Sequence, residues 1–294
     1  MKCINIYLRQ FLIILFLVAC FWNEAYSQKT DTIKTKKPGF FFGFSLGPSQ
    51  TNIKSEGTNS ISKLNCTAQN AYSGSVVFGY LFSKYIGLSS GINYVSYKAL
   101  LSLDAYQNSY STIDSENDAF EMRVTGSNIK ELETIDMLSI PLCVDLRVPF
   151  NNKVGIYFKG GINMAFPLSQ KYASSGTFTY KGYYPAYNDL LENLPDYGFP
   201  TDKSLSDNGS LKLKTMGVSS IVSLGLDFFV KKKIQVALGI IYNSILLGVN
   251  GASTSTDKFQ LSPDATHINS FVGGSSKTTA QSTGVEVTLR YYLR

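Results

Sequence analysis

The chain has 294 residues, with Gly 24, Tyr 19 and Phe 19, only 16% charged residues and a net charge of +6. Few charges beside abundant glycine and aromatics disfavour both a disordered chain and a helix-rich enzyme. No run of Lys and Arg with interleaved aromatics occurs, so no nucleic-acid partner is expected.

In chain order, residues 1–27 read first as an export signal. Lys2 and Arg9 flank the apolar stretch "FLIILFLVA" (11–19), and "AYSQ" places Ala25 and Ser27 at the small-residue positions of a cleavage site, before Gln28. The alternative is a lipobox at "LVAC" (17–20), which would make Cys20 a lipidated N-terminus. The apolar stretch is too short to span a bilayer as an anchor. Residues 28–39, "QKTDTIKTKKPG", form a Lys-rich lead-in expected on the periplasmic side. Beyond the signal only Cys66 and Cys143 remain, and the reading below puts them far apart, so two separate thiols are expected.

From residue 40 the chain alternates with period two, the signature of strands with unlike faces. In "FFFGFSLGP" (40–48), Phe40, Phe42, Phe44 and Leu46 oppose Phe41, Gly43, Ser45 and Gly47. Residues 72–82 and 85–97 repeat this around a turn at Ser83-Lys84, with Ile86, Leu88, Ile92 and Tyr94 against Gly87, Ser89, Gly91 and Asn93. Residues 135–148 set Leu138, Ile140, Leu142, Val144, Leu146 and Val148 against Ser139, Cys143, Asp145 and Arg147. Further strands are read at 154–166, 215–230, 234–247 and 285–294. This predicts an all-β fold: an eight-stranded antiparallel transmembrane β-barrel over 40–294. Its connections would be three tight turns (83–84, 149–153, 231–233) in the periplasm and four long extracellular loops (49–71, 98–134, 167–214, 248–282).

A soluble barrel is the competing architecture, with its apolar face inward and a charged exterior. Here the apolar face carries no charge, and the other face is mostly Gly, Ser, Ala and Asn. Aromatics cluster at both ends of the apolar face, with Phe40, Phe82, Phe228 and Tyr291 at the turn end and Tyr72, Tyr94, Phe166 and Tyr242 at the loop end. Two aromatic girdles match two membrane interfaces. The solvent outside the barrel is therefore expected to be outer-membrane lipid.

"SIPLCVDLRVPFNNKVGIYFKGGINMAF" (139–166) and "GLSSGINYVSY" (87–97) resemble the PorT-like outer-membrane β-barrel family of Bacteroidetes. In that family an Ile-Pro opens a central strand, a short turn follows, and the next strand runs into a Gly-Gly or Ala-Gly step. The resemblance covers residues 40–294 and its motifs mark the barrel, not an activity. It implies roles such as secretion for some members. Arg294 departs from the aromatic C-terminus usual for such barrels.

Six charges fall on the interior face: Asp145, Arg147, Lys159, Asp227, Glu286 and Arg290. Three acids and three bases suggest a paired structural network filling the lumen, since an unpaired buried charge is costly. A selectivity filter is the functional alternative. Folding the hairpin about Asn151 would place Asp145 opposite Tyr157 and diagonal to Lys159. The sole histidine, His267, has Asp264 and Ser270 nearby in sequence, a weak hint of lipid-modifying catalysis without a nucleophile motif. "DSEND" (114–118) resembles the start of a calcium loop but lacks its Gly and closing Glu, with Ala119 and Thr125 at those places. The surrounding 98–134 reads as a solvated acidic loop containing Asp104, Glu121, Glu131 and Glu133. "FTYKGYYPAYNDLLENLPDYGF" (178–199) reads as a contact surface or a cap over the barrel mouth. The expectation is a non-enzymatic outer-membrane barrel without cofactor or metal. Its partners would be lipid, the barrel-assembly machinery and a protein bound at the loops or periplasmic face, in envelope structure, adhesion or secretion. A small porin-like channel and an outer-membrane enzyme are the alternatives.

Overall fold

The computed structural model describes residues 39–56, 64–151, 153–211, 216–248, 267–268, 270 and 277–293. The expected export signal, nearly all of the lead-in, Asp264 and Arg294 lie outside these residues. Ten strands follow in order: β1 (Gly39–Glu56), β2 (Asn65–Leu81), β3 (Ile86–Ile113), β4 (Ala119–Pro149), β5 (Val154–Tyr184), β6 (Asp189–Leu191), β7 (Lys203–Ser210), β8 (Gly217–Lys231), β9 (Ile234–Gly248) and β10 (Lys277–Leu293). All pairings are antiparallel. β1 pairs β2, β2 pairs β3, and the series continues through β4, β5, β8, β9 and β10 back to β1, closing a ring. β6 and β7 lie off this circuit and pair with the far half of β5.

Near the short connections the burial pattern is the reverse of a water-soluble barrel. Phe40, Phe44, Leu46, Ile92, Ile140, Leu142, Ile162, Val218 and Val287 are exposed, whereas Ser45, Ser89, Asn93, Ser139, Asn163 and Ser223 are buried. On each strand the exposed apolar run is about the length that crosses a hydrocarbon layer at a tilt, for example Ile86 to Tyr94 on β3 and Leu138 to Val148 on β4.

All four expected long loops are corrected by the structure, the last only at its end, where β10 begins at Lys277. β3 continues to Ile113 and β4 begins at Ala119, so most of 98–134 is a long hairpin closed by a short turn. β1 and β2 likewise extend into 49–71, and β5, β6 and β7 occupy much of 167–214. Alternation persists there, but the two faces exchange character. Along β3 the inward positions change from Gly91 and Asn93 to Val95, Tyr97, Ala99, Leu101 and Leu103. The outward positions change from Ile92 and Tyr94 to Lys98, Ser102 and Asp104. The apolar, lipid-facing pattern therefore ends where the outward side becomes polar.

Above the switch lies a chamber filled by an apolar core that includes Tyr97, Leu101, Phe120, Ile135, Phe178 and Tyr180. The aromatics of 178–199 divide accordingly: Phe178, Tyr180 and Phe199 are buried, while Tyr187 and Tyr197 are exposed. No helix among the described residues is long and apolar enough to cross a membrane.

Leu142 and Leu132 are both exposed leucines on the outer face of β4, the first inside the apolar band and the second above it. Leu142→Arg should destabilise by about 2–4 kcal/mol, the cost of a charge at the membrane midplane. Leu132→Arg, flanked by Lys130 and Thr134, should stay within about 0.5 kcal/mol of wild type. Unfolding of the purified protein in lipid vesicles measures both, and equal losses would misplace the band.

Candidate functional site

The lumen is built in layers. Nearest the short turns, Phe41, Val77, Leu81 and Tyr292 form an apolar floor, with Phe229 packed against them. The charged residues stand directly above it, and the structure brings all six into three ion pairs. Arg147 holds Asp227 with both arms of its guanidinium, Nε to Oδ2 at 2.6 Å and Nη2 to Oδ1 at 2.7 Å. Gln235 Nε2 also donates to Asp227 Oδ2 at 2.7 Å, while its own Oε1 accepts the Tyr292 hydroxyl at 2.6 Å. Arg290 Nη2 donates to Asp145 Oδ1 at 2.9 Å, and Ser89 donates to the other oxygen of Asp145. Lys159 Nζ lies 3.7 Å from Glu286 Oε2.

Each acid is further satisfied by neutral donors, as buried charge requires. Ser45 donates to Glu286 Oε2 at 3.1 Å, while Tyr157 and Ser223 donate to Oε1. The two guanidinium groups also lie over aromatic rings, Arg147 above Phe229 and Arg290 above Phe41, each 5.0 Å from the ring centre. Glycine makes this crowding feasible. A Cβ on Gly155 would sit 2.9 Å from Arg147 Nη2 and 3.0 Å from Asp227 Oδ1. A Cβ on Gly239 would collide with the Tyr157 hydroxyl that serves Glu286.

The partners differ from the expected ones. The β4–β5 hairpin pairs Pro149 with Gly155, which sets Asp145 directly opposite Lys159 and Arg147 opposite Tyr157. The expected fold about Asn151 misplaces this register by two residues. Asp145 and Lys159 then reach across the lumen to β10, to Arg290 and Glu286 respectively. No local spacing encodes those contacts, because they join strands far apart in sequence.

Above the pairs, Cys143, Ile221 and Ile241 pack together, and Asn93 Nδ2 donates to Ser139 Oγ at 3.4 Å. A cavity of about 10 Å³ remains beside Ser75, Ser89, Asn93, Cys143 and Lys159, room for about one water. The thiols of Cys66 and Cys143 are free.

The chamber also holds acids expected in a solvated loop. Glu131 and Glu133 are both fully buried, on the inward face of β4. Glu131 accepts hydroxyl hydrogen bonds from Ser174 and Ser270, each at 2.7 Å. Ser270 is therefore drawn inward to an acid, while His267, 73% exposed at its side chain, pairs with Asp207 at 3.1 Å. Asp114 uses Oδ1 to accept the backbone N–H groups of Glu116 and Asp118, which makes "DSEND" a tight turn. The tyrosines of the next hairpin bind this turn, Tyr184 to Asp114 at 3.1 Å and Tyr187 to Asp118 at 3.3 Å.

The ion pairs give a test. Lys159→Ala leaves Glu286 buried without its cation and should destabilise by about 3–5 kcal/mol. The double variant Lys159→Met with Glu286→Gln should recover most of this loss, since neither charge then remains. A water-filled lumen would solvate the orphaned carboxylate, and the single variant would then unfold like wild type.

The family model for the outer membrane protein beta-barrel domain matches residues 26–246. Among solved structures, the chain is similar to the outer membrane protein OprG of Pseudomonas aeruginosa at 16% identity, covering 88% of this chain and 97% of that one, with a TM-score of 0.41. It is similar to the neisserial surface protein NspA at 11% identity, covering 88% and 100%, with a TM-score of 0.36. Similarity to Ail, the attachment invasion locus protein of Yersinia pestis, is at 12% identity, covering 85% and 98%, with a TM-score of 0.28. No curated protein sequence matches the chain. The exposed apolar band around a closed, polar-lined ring and the family match over most of the chain agree: this protein belongs to the outer membrane protein beta-barrel domain family and resides in the outer membrane.

Proposed function

We propose that the protein is a non-enzymatic, non-conducting eight-stranded barrel of the PorT-like type, whose projection beyond the membrane binds a partner in envelope structure, adhesion or secretion. Its three short turns then lie in the periplasm and its four long connections outside the cell. The observation that carries this reading is the length of β3, β4 and β5, of 28, 31 and 31 residues. A strand needs only about ten residues to cross a bilayer. The remainder builds a projection with its own apolar core, which contributes nothing to crossing and positions a surface in the medium.

The end of that projection supports a recognition role. Tyr187, Leu190, Leu194 and Tyr197 are exposed there, on backbone held by β6 and by hydrogen bonds to the 114–118 turn. Rigid exposed aromatics lose little entropy on binding. Three buried ion pairs and an apolar floor fill the lumen, which supports the non-conducting part of the reading.

Purified protein in a planar bilayer should give no steady current, and a stable ion-selective current would favour a small channel instead. An antibody epitope at Asn188 should be reachable on intact cells, and one at Lys232 only after the outer membrane is breached. The opposite accessibility would invert the barrel. Chemical crosslinking on intact cells should capture a partner that Tyr187→Ala with Tyr197→Ala loses while folding is unchanged.

A further inference from the structure

Glu133 presents an unusual problem in the chamber. Its side chain is fully buried among apolar residues, and neither carboxyl oxygen has a hydrogen-bond partner. An orphaned buried carboxylate is among the costliest groups a core can hold. The neighbouring inward position carries a second buried acid, Glu131, whose two oxygens accept the hydroxyls of Ser174 on β5 and Ser270 on the last connection. Burial, and next the charge of Glu131, push the Glu133 carboxyl well above the usual carboxylate range. A proton on Glu133 would let its O–H donate to Glu131 but would still leave its other oxygen without a partner. A cation would satisfy both oxygens and both acids together.

We propose that Glu131 and Glu133, with the hydroxyls of Ser174 and Ser270, form a site for one hard divalent cation of the calcium class. The donor set is entirely oxygen, four carboxylate atoms and two hydroxyls, within the range that calcium accepts in irregular geometry. Two carboxylates match a double positive charge. The nearest soft ligand is already engaged, since the Cys66 thiol donates to Asn52 Oδ1 at 2.7 Å and to the Ile53 carbonyl at 3.0 Å. Burial also pushes that thiol up. The other groups on the strands beside the acids are Ala99 and Leu101 on β3 and Tyr172 on β5. A cation here would join β4, β5 and the last connection, which reaches the chamber through buried Ile268 and Ser270. The site does not depend on the partner-binding reading above, and its test uses no partner.

The experiment titrates terbium, a luminescent calcium substitute, into the folded full chain in detergent, with excitation of the tyrosines. One ion per chain should be sensitised, and calcium should displace it at roughly 10⁻⁴–10⁻³ M, the range of extracellular calcium modules. Glu133→Gln and Ser270→Ala should each weaken binding, the former by about tenfold or more. Calcium should raise the melting temperature of wild type but not of Glu133→Gln. Glu116→Gln, in the exposed turn, should change neither result. If Glu133→Gln does not fold, the stoichiometry in wild type and Ser270→Ala still decides. Binding lost in Glu116→Gln, or a melting temperature indifferent to calcium and raised by Glu133→Gln, would overturn the site, the second result marking a carboxyl kept neutral by its proton.

Discussion

The structure depends on one constraint: within hydrocarbon, every backbone N–H and C=O must be paired by the chain itself. The antiparallel circuit from β1 to β10 and back meets it, since closure leaves no unpaired edge along the ring. Closure in turn fixes which side chains meet lipid and which meet one another. The small inward residues follow, because side chains must share a narrow interior with two arginines and a lysine.

The membrane strands were legible in the sequence because lipid demands a simple pattern, apolar on every second residue. The upper halves of the same strands were not, because water reverses that demand while the period stays two. Bulges complicate the pattern further. Between Asp136 and Met137 of β4 the pairing partner jumps from Ser169 to Pro167, leaving Leu168 as an extra residue on β5. Inward positions on β5 therefore pass from Asn163 and Ala165 to Ser174, Gly176 and Phe178, a change of parity. At a second irregularity, Asn128 of β4 takes a φ of 52°, and the inward set passes from Glu131 and Ile129 to Val124 and Met122. Asparagine tolerates that left-handed backbone better than most residues.

The six interior charges could be read from parity, yet their partners could not. Parity gives a residue's face, whereas the Arg290–Asp145 and Lys159–Glu286 contacts depend on how β10 is staggered around the ring relative to β4 and β5. Glu131 and Glu133 show the opposite failure. In "KELETIDM" (130–137) both faces mix acids with apolar residues, so alternation gives no inside. Only the apolar neighbours contributed by β3 and β5 identify the buried side.

The two interiors differ in what they contribute. Buried ion pairs regain little more than their desolvation cost, so the lumen network adds little net stability. Stability within the membrane comes from the ladder and the lipid-facing side chains. Beyond the membrane that source ends, and the projection must supply its own apolar core, as Tyr97, Leu101, Phe120, Phe178 and Tyr180 do. An acid pair in that core opposes the stability the projection needs, whereas the same pair in the lumen would find arginine or lysine within reach. Its location in the apolar chamber is therefore the feature that packing alone leaves unexplained.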